Sequence, residues 1–317
     1  MNISKSIIAT LIIAPLFFFT SCSDDDNASA SSGNVTFEIT DAPIDNANVS
    51  GAFVTVSEVR VDGQAWSGFT GKKTIDLLAY QNGRTEGLGT GELNVGSYSQ
   101  VELVLDYATD ASGNAPGCYI MTTDNDKVDL NGTSSTTGAI AINQSNFDVA
   151  SSSNSSYVID FDLRKAIQKG NGVKDYSLKS GAALSAALRA ENKAQAGNIS
   201  GKISGSAYSN SEMVVVYAYE KGQYASSEAS GNASTQFQGA VTSSVANSEG
   251  DYTLSFLKEG DYELIFCSYE DANNDGEMEL EGKLTLDIAG TLDLQTVTVS
   301  SSTTATLNIT AAALISF

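Results

Sequence analysis

Apolar and polar residues alternate with a period of two along most of this chain. Val35, Phe37 and Ile39 alternate with Thr36, Glu38 and Thr40, the pattern of a strand with one buried face. Residues 52–56 continue the pattern into 58–61 and stop at Asp62-Gly63, a turn signal. Val101, Leu103 and Leu105 repeat the period, and residues 74–79 and 157–161 are further strand candidates. Residues 118–122 and 127–130 flank Asp124-Asn125-Asp126, as the arms of a hairpin flank its tip. Residues 163–169 are predicted as a single short helix ended by Gly170-Asn171-Gly172. The Ala-rich stretch 180–193 fits a helix or a strand equally well.

A second strand series begins at Gly197. Ile199, Gly201 and Ile203 lead into the apolar run 213–219, followed by 252–257, 262–269, 284–288, 294–299 and 305–309. Short strands at regular spacing with turn residues between them predict an all-β chain of two β-sandwiches, Ig-like or transthyretin-like, over residues 34–192 and 197–312. An internal echo supports a shared architecture. Leu93-Asn94-Val95-Gly96-Ser97-Tyr98 and Leu257-Lys258-Glu259-Gly260-Asp261-Tyr262 both read L-x-x-G-x-Y ahead of an apolar strand. The Gly permits a tight corner. The Tyr can bury its ring and place its hydroxyl on nearby backbone, as tyrosine corners do.

Residues 1–33 break the pattern. Met1 to Lys5 carries one positive charge, residues 7–19 are apolar, and Phe19-Thr20-Ser21-Cys22 follows. Such a stretch is short for a bilayer span and reads as an export signal. It resembles a bacterial lipoprotein signal. The resemblance implies cleavage after residue 21 and acylation of Cys22 with palmitate-type chains. Ser23, Asp24, Asp25 and Asp26 resemble the sorting signal of lipoproteins displayed outside the outer membrane. Residues 22–33 (CSDDDNASASSG) lack large apolar residues and read as a flexible tether. The expected location is therefore the outer membrane, lipid-anchored and exposed at the cell surface.

Two further resemblances cover the body. Val35-Thr36-Phe37-Glu38-Ile39-Thr40-Asp41-Ala42-Pro43, Ile75-Asp76-Leu77-Leu78, Gly96-Ser97-Tyr98-Ser99-Gln100-Val101 and Asp160-Phe161-Asp162 resemble, in that order, domain-of-unknown-function family 4382. That family has no established activity, so the resemblance implies a fold and a location only. Residues 197–312 resemble a carboxypeptidase-regulatory, transthyretin-like sandwich through Gly201-Lys202-Ile203-Ser204-Gly205 and the Gly250-Asp251-Tyr252 and Gly260-Asp261-Tyr262 pair. Modules of that kind support, space or bind.

Composition narrows the chemistry. The 317 residues carry 38 acidic and 17 basic side chains, a net charge of −21. Such a chain repels phosphate backbones and anionic headgroups, so no nucleic-acid partner is expected and membrane contact falls to the lipid anchor. There is no histidine, which excludes Ser-His-Asp and Cys-His catalysis and the usual His/Cys zinc sites. Cys118 and Cys267, one in each expected sandwich, are read as small buried strand residues, with a bridge between them as the alternative. Trp66, the only tryptophan, is read as a core plug.

Three acidic constellations stand out. Asp271, Asn273 and Asp275 place oxygens at alternate positions ahead of Gly276, with Glu277 and Glu279 following, the first half of a calcium loop. Calcium is thus the one cofactor considered, against a plain turn around Asn274-Asp275-Gly276. Asp124-Asn125-Asp126 lacks the glycine and is read as a hairpin tip. Asp160 and Asp162 share one strand face and are a candidate carboxylate pair for a hydrolase, against a chance pairing on a wet face among 38 acids. The function expected is a non-enzymatic binding, adhesion or structural module that meets an extracellular protein or glycan. The alternative is a glycan-binding accessory lipoprotein of a polysaccharide-uptake system.

Overall fold

The alternation at Val35, Phe37 and Ile39 yields the strand Ser32–Thr40, with those three side chains fully buried. This computed structural model describes residues 31–41, 49–131, 135–142, 146–170, 175–231, 235–287 and 296–316. The expected signal, Cys22 and the Ser23–Asp26 tract lie outside the described residues, as do Ala42 and Pro43. Among the described residues, a four-stranded sheet runs in the order Leu188–Asn192, Asn154–Phe161, Ser32–Thr40, Glu86–Asn94. Ser32–Thr40 and Asn154–Phe161 are parallel, and the other neighbours are antiparallel. A seven-stranded sheet centred on Val49–Val61 faces it. Phe37 and Ile39 from one sheet and Val54, Val56, Leu103 and Leu105 from the other share a single core. Each such side chain contributes about 1.5–3 kcal/mol on burial.

The second half is one nine-stranded sheet, ordered along its main path Thr242–Val245, Met213–Glu220, Gly260–Glu270, Glu279–Asp287, Ile309–Ile315, Gly197–Ser204, Asp251–Leu257. The sheet curls until its end strands meet, and the Thr253 N–H donates to Ser244 Oγ at 3.2 Å. Met213–Glu220 is buried on both faces, which explains its unbroken apolar run. Val214, Val216 and Ala218 enter the inner core. Val215, Tyr217 and Tyr219 enter a second cluster with Ala229, Phe237 and Ala240. No described helix is long and apolar enough to cross a membrane. Residues Ser31–Phe317 form one compact unit.

Local structure confirms some expectations and corrects others. Both tyrosine corners form the same bond. The Tyr98 hydroxyl donates to Asn94 O at 2.9 Å, and the Tyr262 hydroxyl donates to Lys258 O at 3.0 Å. Gly96 and Gly260 adopt φ of 158° and 157°. The hairpin 118–130 forms as Tyr119–Thr122 paired with Lys127–Asp129. Trp66 packs edge-on against Phe37, with centroids 4.9 Å apart, and is buried. Cys118 and Cys267 are free and buried, without a bridge. Burial pushes the Cys118 thiol up to about 12 and raises that of Cys267 as well.

The expected helix over 163–169 is only Leu163–Ala166, and the chain continues as the strand Ile167–Lys169. The ambiguous stretch 180–193 is both, a helical turn at Gly181–Ser185 and then the strand Leu188–Asn192. Residues 74–79 are a strand only to Asp76, whose side chain caps the 3-10 turn Leu77–Tyr80. Ser32 and Gly33, placed in the tether by the sequence, already belong to the first strand. Glu86–Asn94 is a strand despite its glycines. A Cβ on Gly89 or Gly91 would collide with the backbone of Gly68, so the glycines let the Trp66 loop lie against this strand.

Candidate functional site

The carboxylate pair lies where the two halves meet. Asp160, in Asn154–Phe161, and Asp162, the N-cap of Leu163–Ala166, are both buried. Asp160 Oδ2 accepts from Arg189 Nη2 at 2.7 Å, and Asp162 Oδ2 accepts from Arg164 Nη2 at 2.9 Å. Asp162 Oδ1 also accepts the Lys165 N–H at 3.1 Å, satisfying one free donor of the helix start. Buried Asp41 stands beside them and accepts from the Leu163 N–H and Gln81 Nε2, each at 3.2 Å. Burial raises the Asp41 carboxyl well above the ordinary range. The bonds from Gln81 and Leu163 oppose that rise, and the charges of Asp160 and Asp162 add to it. Burial raises Asp160 too, against the pull of Arg189.

The basic partners then reach across to carbonyls of the second half. Arg164 Nη1 donates to Phe237 O at 2.6 Å and to Gln236 O at 3.3 Å. Lys165 Nζ donates to Ala240 O at 2.5 Å. Arg189 donates to Phe256 O at 2.5 Å and to Ser255 O at 3.2 Å. Phe237 and Phe256 hold φ of 50° and 55°, a region that L residues other than glycine avoid. Such strain persists where surrounding contacts over-determine the backbone. Here each strained carbonyl receives a guanidinium. The cavities beside Asp160 and Asp162 hold only about 10 and 20 Å³, enough for a water and too small for a sugar ring. The pair therefore acts as a structural clamp.

The loop from Asp271 to Glu279 closes on itself. Asp271 accepts the N–H groups of Asp275 and Gly276 at 3.0 and 2.9 Å. Asn273 Oδ1 accepts the Asp275 N–H at 2.8 Å, and Asp275 Oδ1 accepts the Glu277 N–H at 2.9 Å. Glu279 accepts from the Ala272 N–H and Asn273 Nδ2. Glu277 turns away and pairs with Lys169 of the first half. Among the described residues, no three Asp, Glu or Cys side chains converge as a metal-binding group.

A groove runs along the same junction. One recess of about 500 Å³ is lined by Tyr98, Phe147 and Tyr157 with Asp148, Asn192 and Gln195. A second, of about 280 Å³, is lined by Leu188, Val241 and Tyr262 with Glu220. Ala190, Glu191 and Lys258 line both, so the recesses adjoin along the strand Leu188–Asn192. Tyr98 stacks on Phe147 at 5.2 Å, and Phe147 packs on Tyr157 at 4.8 Å. Burial raises the Glu191 carboxyl, opposed by Arg189 and Lys258 at 3.6 and 3.7 Å.

The sequence pointed to the acids and missed their partners. Seven of the 17 basic residues fall between Arg164 and Lys193, in a chain of net charge −21. That concentration is the signal that would have located the junction.

Residues 32–180 match the family model of Domain of unknown function (DUF4382). The DUF4382 match therefore takes in Asp160, Asp162, Arg164 and Lys165 and stops short of Arg189. No curated protein matches the chain. Among solved structures, GBS52, the minor pilin of Streptococcus agalactiae, aligns at 13% identity over 89% of this chain and 98% of its own, with a TM-score of 0.21. BcpA, the major pilin subunit of Bacillus cereus, aligns at 10% identity over 89% of this chain and 71% of its own, with a TM-score of 0.21. A leucine-rich repeat protein from Bacteroides thetaiotaomicron aligns at 12% identity over 89% of this chain, with a TM-score of 0.22. The chain spans 27% of that protein's length and 34% of the Bacillus anthracis TIE protein. Likeness at this level carries nothing about assembly or partner.

Proposed function

We propose that this chain is a non-enzymatic binding or adhesion module, held at the outer membrane surface by a lipid on Cys22 and directed there by Ser23, Asp24, Asp25 and Asp26. The observation that supports it most is the use of Asp160 and Asp162. The carboxylate pair at Asp160 and Asp162, in a chain without histidine, is buried, paired with Arg189 and Arg164, and walled off from any substrate-sized cavity. A glycosidase needs its two carboxyl groups flanking a sugar. What remains open is the groove along Leu188–Asn192, which suits recognition. The loop of Asp271, Asn273, Asp275, Glu277 and Glu279 stays in this reading as a candidate calcium loop whose ion dependence is a separate measurement.

The body 31–317 is expected to leave polysaccharides, esters and peptides unaltered after long incubation. Turnover that disappears in Asp160→Asn would replace this reading with a carboxylate hydrolase. Cys22→Ala is expected to release the protein from membranes or to leave an unprocessed precursor. A processed mutant that still sediments with membranes would remove the anchor from the reading.

A further inference from the structure

A lipid on Cys22 would make Ser31, the first described residue, the point where tension between the membrane and a bound partner enters the fold. The chain is tied in there at once. Ser31 O accepts the Val95 N–H and Ser32 O accepts the Ser152 N–H, both at 2.8 Å. The strand that follows, Ser32–Thr40, is interior to its sheet rather than at an edge. It runs parallel to Asn154–Phe161, in register from Asn34 opposite Asn154 to Thr40 opposite Asp160, and antiparallel to Glu86–Asn94 on its other side. Val35, Phe37 and Ile39 pin it to the core.

The bonds that bridge from this sheet to the second half gather at the opposite end of the strand. Arg189 lies across the ladder from Asp160, the register partner of Thr40, and Arg164 and Lys165 follow just past Phe161. These three donate to the carbonyls of Phe256, Phe237 and Ala240. The covalent crossing lies elsewhere. The chain leaves the sheet after Asn192, opposite Tyr157 and so level with Phe37 in mid-strand. We propose that this half is a load-bearing link: tension entering at Ser31 passes from Ser32–Thr40 into Asn154–Phe161 along their shared length and leaves through Arg164, Lys165 and Arg189 into the second half. A parallel pair puts the start of one strand and the end of its neighbour at opposite ends, which an antiparallel hairpin does not. Load applied at those two ends slides the strands along each other, so the bonds of the ladder resist together. Load applied at one end opens them one after another. The clamp therefore carries force to the far end of the sheet, which the crossing at Asn192 does not reach. This rests on the anchored-module reading and adds a mechanical function to it.

The test is single-molecule pulling of the body 31–317 from two introduced cysteines. Cys118 and Cys267 are buried, which leaves the linkers to the introduced pair. Handles at Ser31→Cys and Gly239→Cys load the sheet across the clamp, since Gly239 is exposed and lies between Phe237 and Ala240. Handles at Ser31→Cys and Val95→Cys load one end alone, since Val95 is exposed and bonded to Ser31. Forced unfolding reads the barrier along the direction pulled, so the first pair should need about twice the force of the second, or more, at equal pulling speed. Both proteins are first checked to melt with wild type, so that the difference is one of direction. Should Gly239→Cys fail to fold, Ala182→Cys, exposed on the helical turn ahead of Leu188, loads the same end of the sheet. Equal forces, or a lower force across the clamp, overturn the proposal and leave the binding-module reading standing. A high force across the clamp beside a processed Cys22→Ala protein that stays on membranes would uphold the link and remove the lipid as the source of its load.

Discussion

Asp160 and Asp162 at the junction and Asp271, Asn273 and Asp275 at the hairpin tip look alike as sequence. Each is a run of acidic or amide residues at alternate positions. Their uses are opposite. The junction acids are buried and meet arginines that continue to carbonyls of the other half. The tip residues are half-buried or exposed and accept N–H groups of their own loop. Spacing alone therefore says little about what a carboxylate does. Burial and the source of the donors decide it: a buried charge requires a charged partner, whereas an exposed one is content with local N–H groups and water.

The largest expected effect comes from breaking the junction. Arg164→Met leaves Asp162 buried with Lys165 as its remaining cation, 3.6 Å away, and removes the donor to Phe237 O. Removing one member of a buried pair typically costs about 3–5 kcal/mol. Urea unfolding should show a loss of that order. A loss under about 1 kcal/mol would place this pair with surface ion pairs and erase the contrast with the tip.

A second test uses protons. Burial holds the Asp41 carboxyl above its ordinary range, so the folded chain binds that proton more tightly than the unfolded chain does. The stabilisation is complete below about pH 4, the ordinary carboxylate value, and is lost as pH rises through the raised folded value. Asp41→Asn keeps a carbonyl oxygen for the Leu163 N–H and removes the buried charge. It should melt above wild type at neutral pH and lose part of the pH dependence, about 1.4 kcal/mol for each unit of upward shift. Parallel pH curves for the two proteins would show that Asp41 does not titrate against folding.

Features fixed by near neighbours were legible before the structure. The tyrosine corners close over four residues, so L-x-x-G-x-Y carries them whole. The strands at Val35 and Val101 announced themselves because one face is wet and the other dry. The junction was not legible, since Arg189 lies 29 residues from Asp160 and Phe237 lies 73 from Arg164. Glu86–Asn94 was missed for a related reason. Its glycines weaken the local strand signal and make sense only beside Gly68. The stretch 180–193 defied a single assignment because it contains both a helical turn and the edge strand on which the groove depends.

The smallest effect belongs to the tip. Asp271 holds two N–H groups, at 3.0 and 2.9 Å, and Asp271→Ala leaves both to water. Each exposed bond contributes about 0.5–1.5 kcal/mol, and water recovers part of it because the loop lies at the surface. Asp271→Ala should therefore lower Tm by a few degrees, less than Arg164→Met, and by the same amount in chelator as in millimolar calcium if the loop's own donors are what its carboxylates serve. A bound ion leaves a different mark. Ligand at a hundredfold over its Kd stabilises the native state by about 2.7 kcal/mol, so wild type would melt higher in calcium and Asp271→Ala would lose that increment. The junction acids make the control. Asp160 and Asp162 are already held by Arg189 and Arg164 and have no neighbouring set of free oxygens for calcium, and Arg164→Met should show the same deficit in both buffers. A calcium increment abolished by Asp271→Ala and untouched by Arg164→Met would turn the contrast between the two acidic runs into one between a clamp and a metal loop. Equal melting of all three proteins across the two buffers would leave it as one between buried and solvated carboxylates.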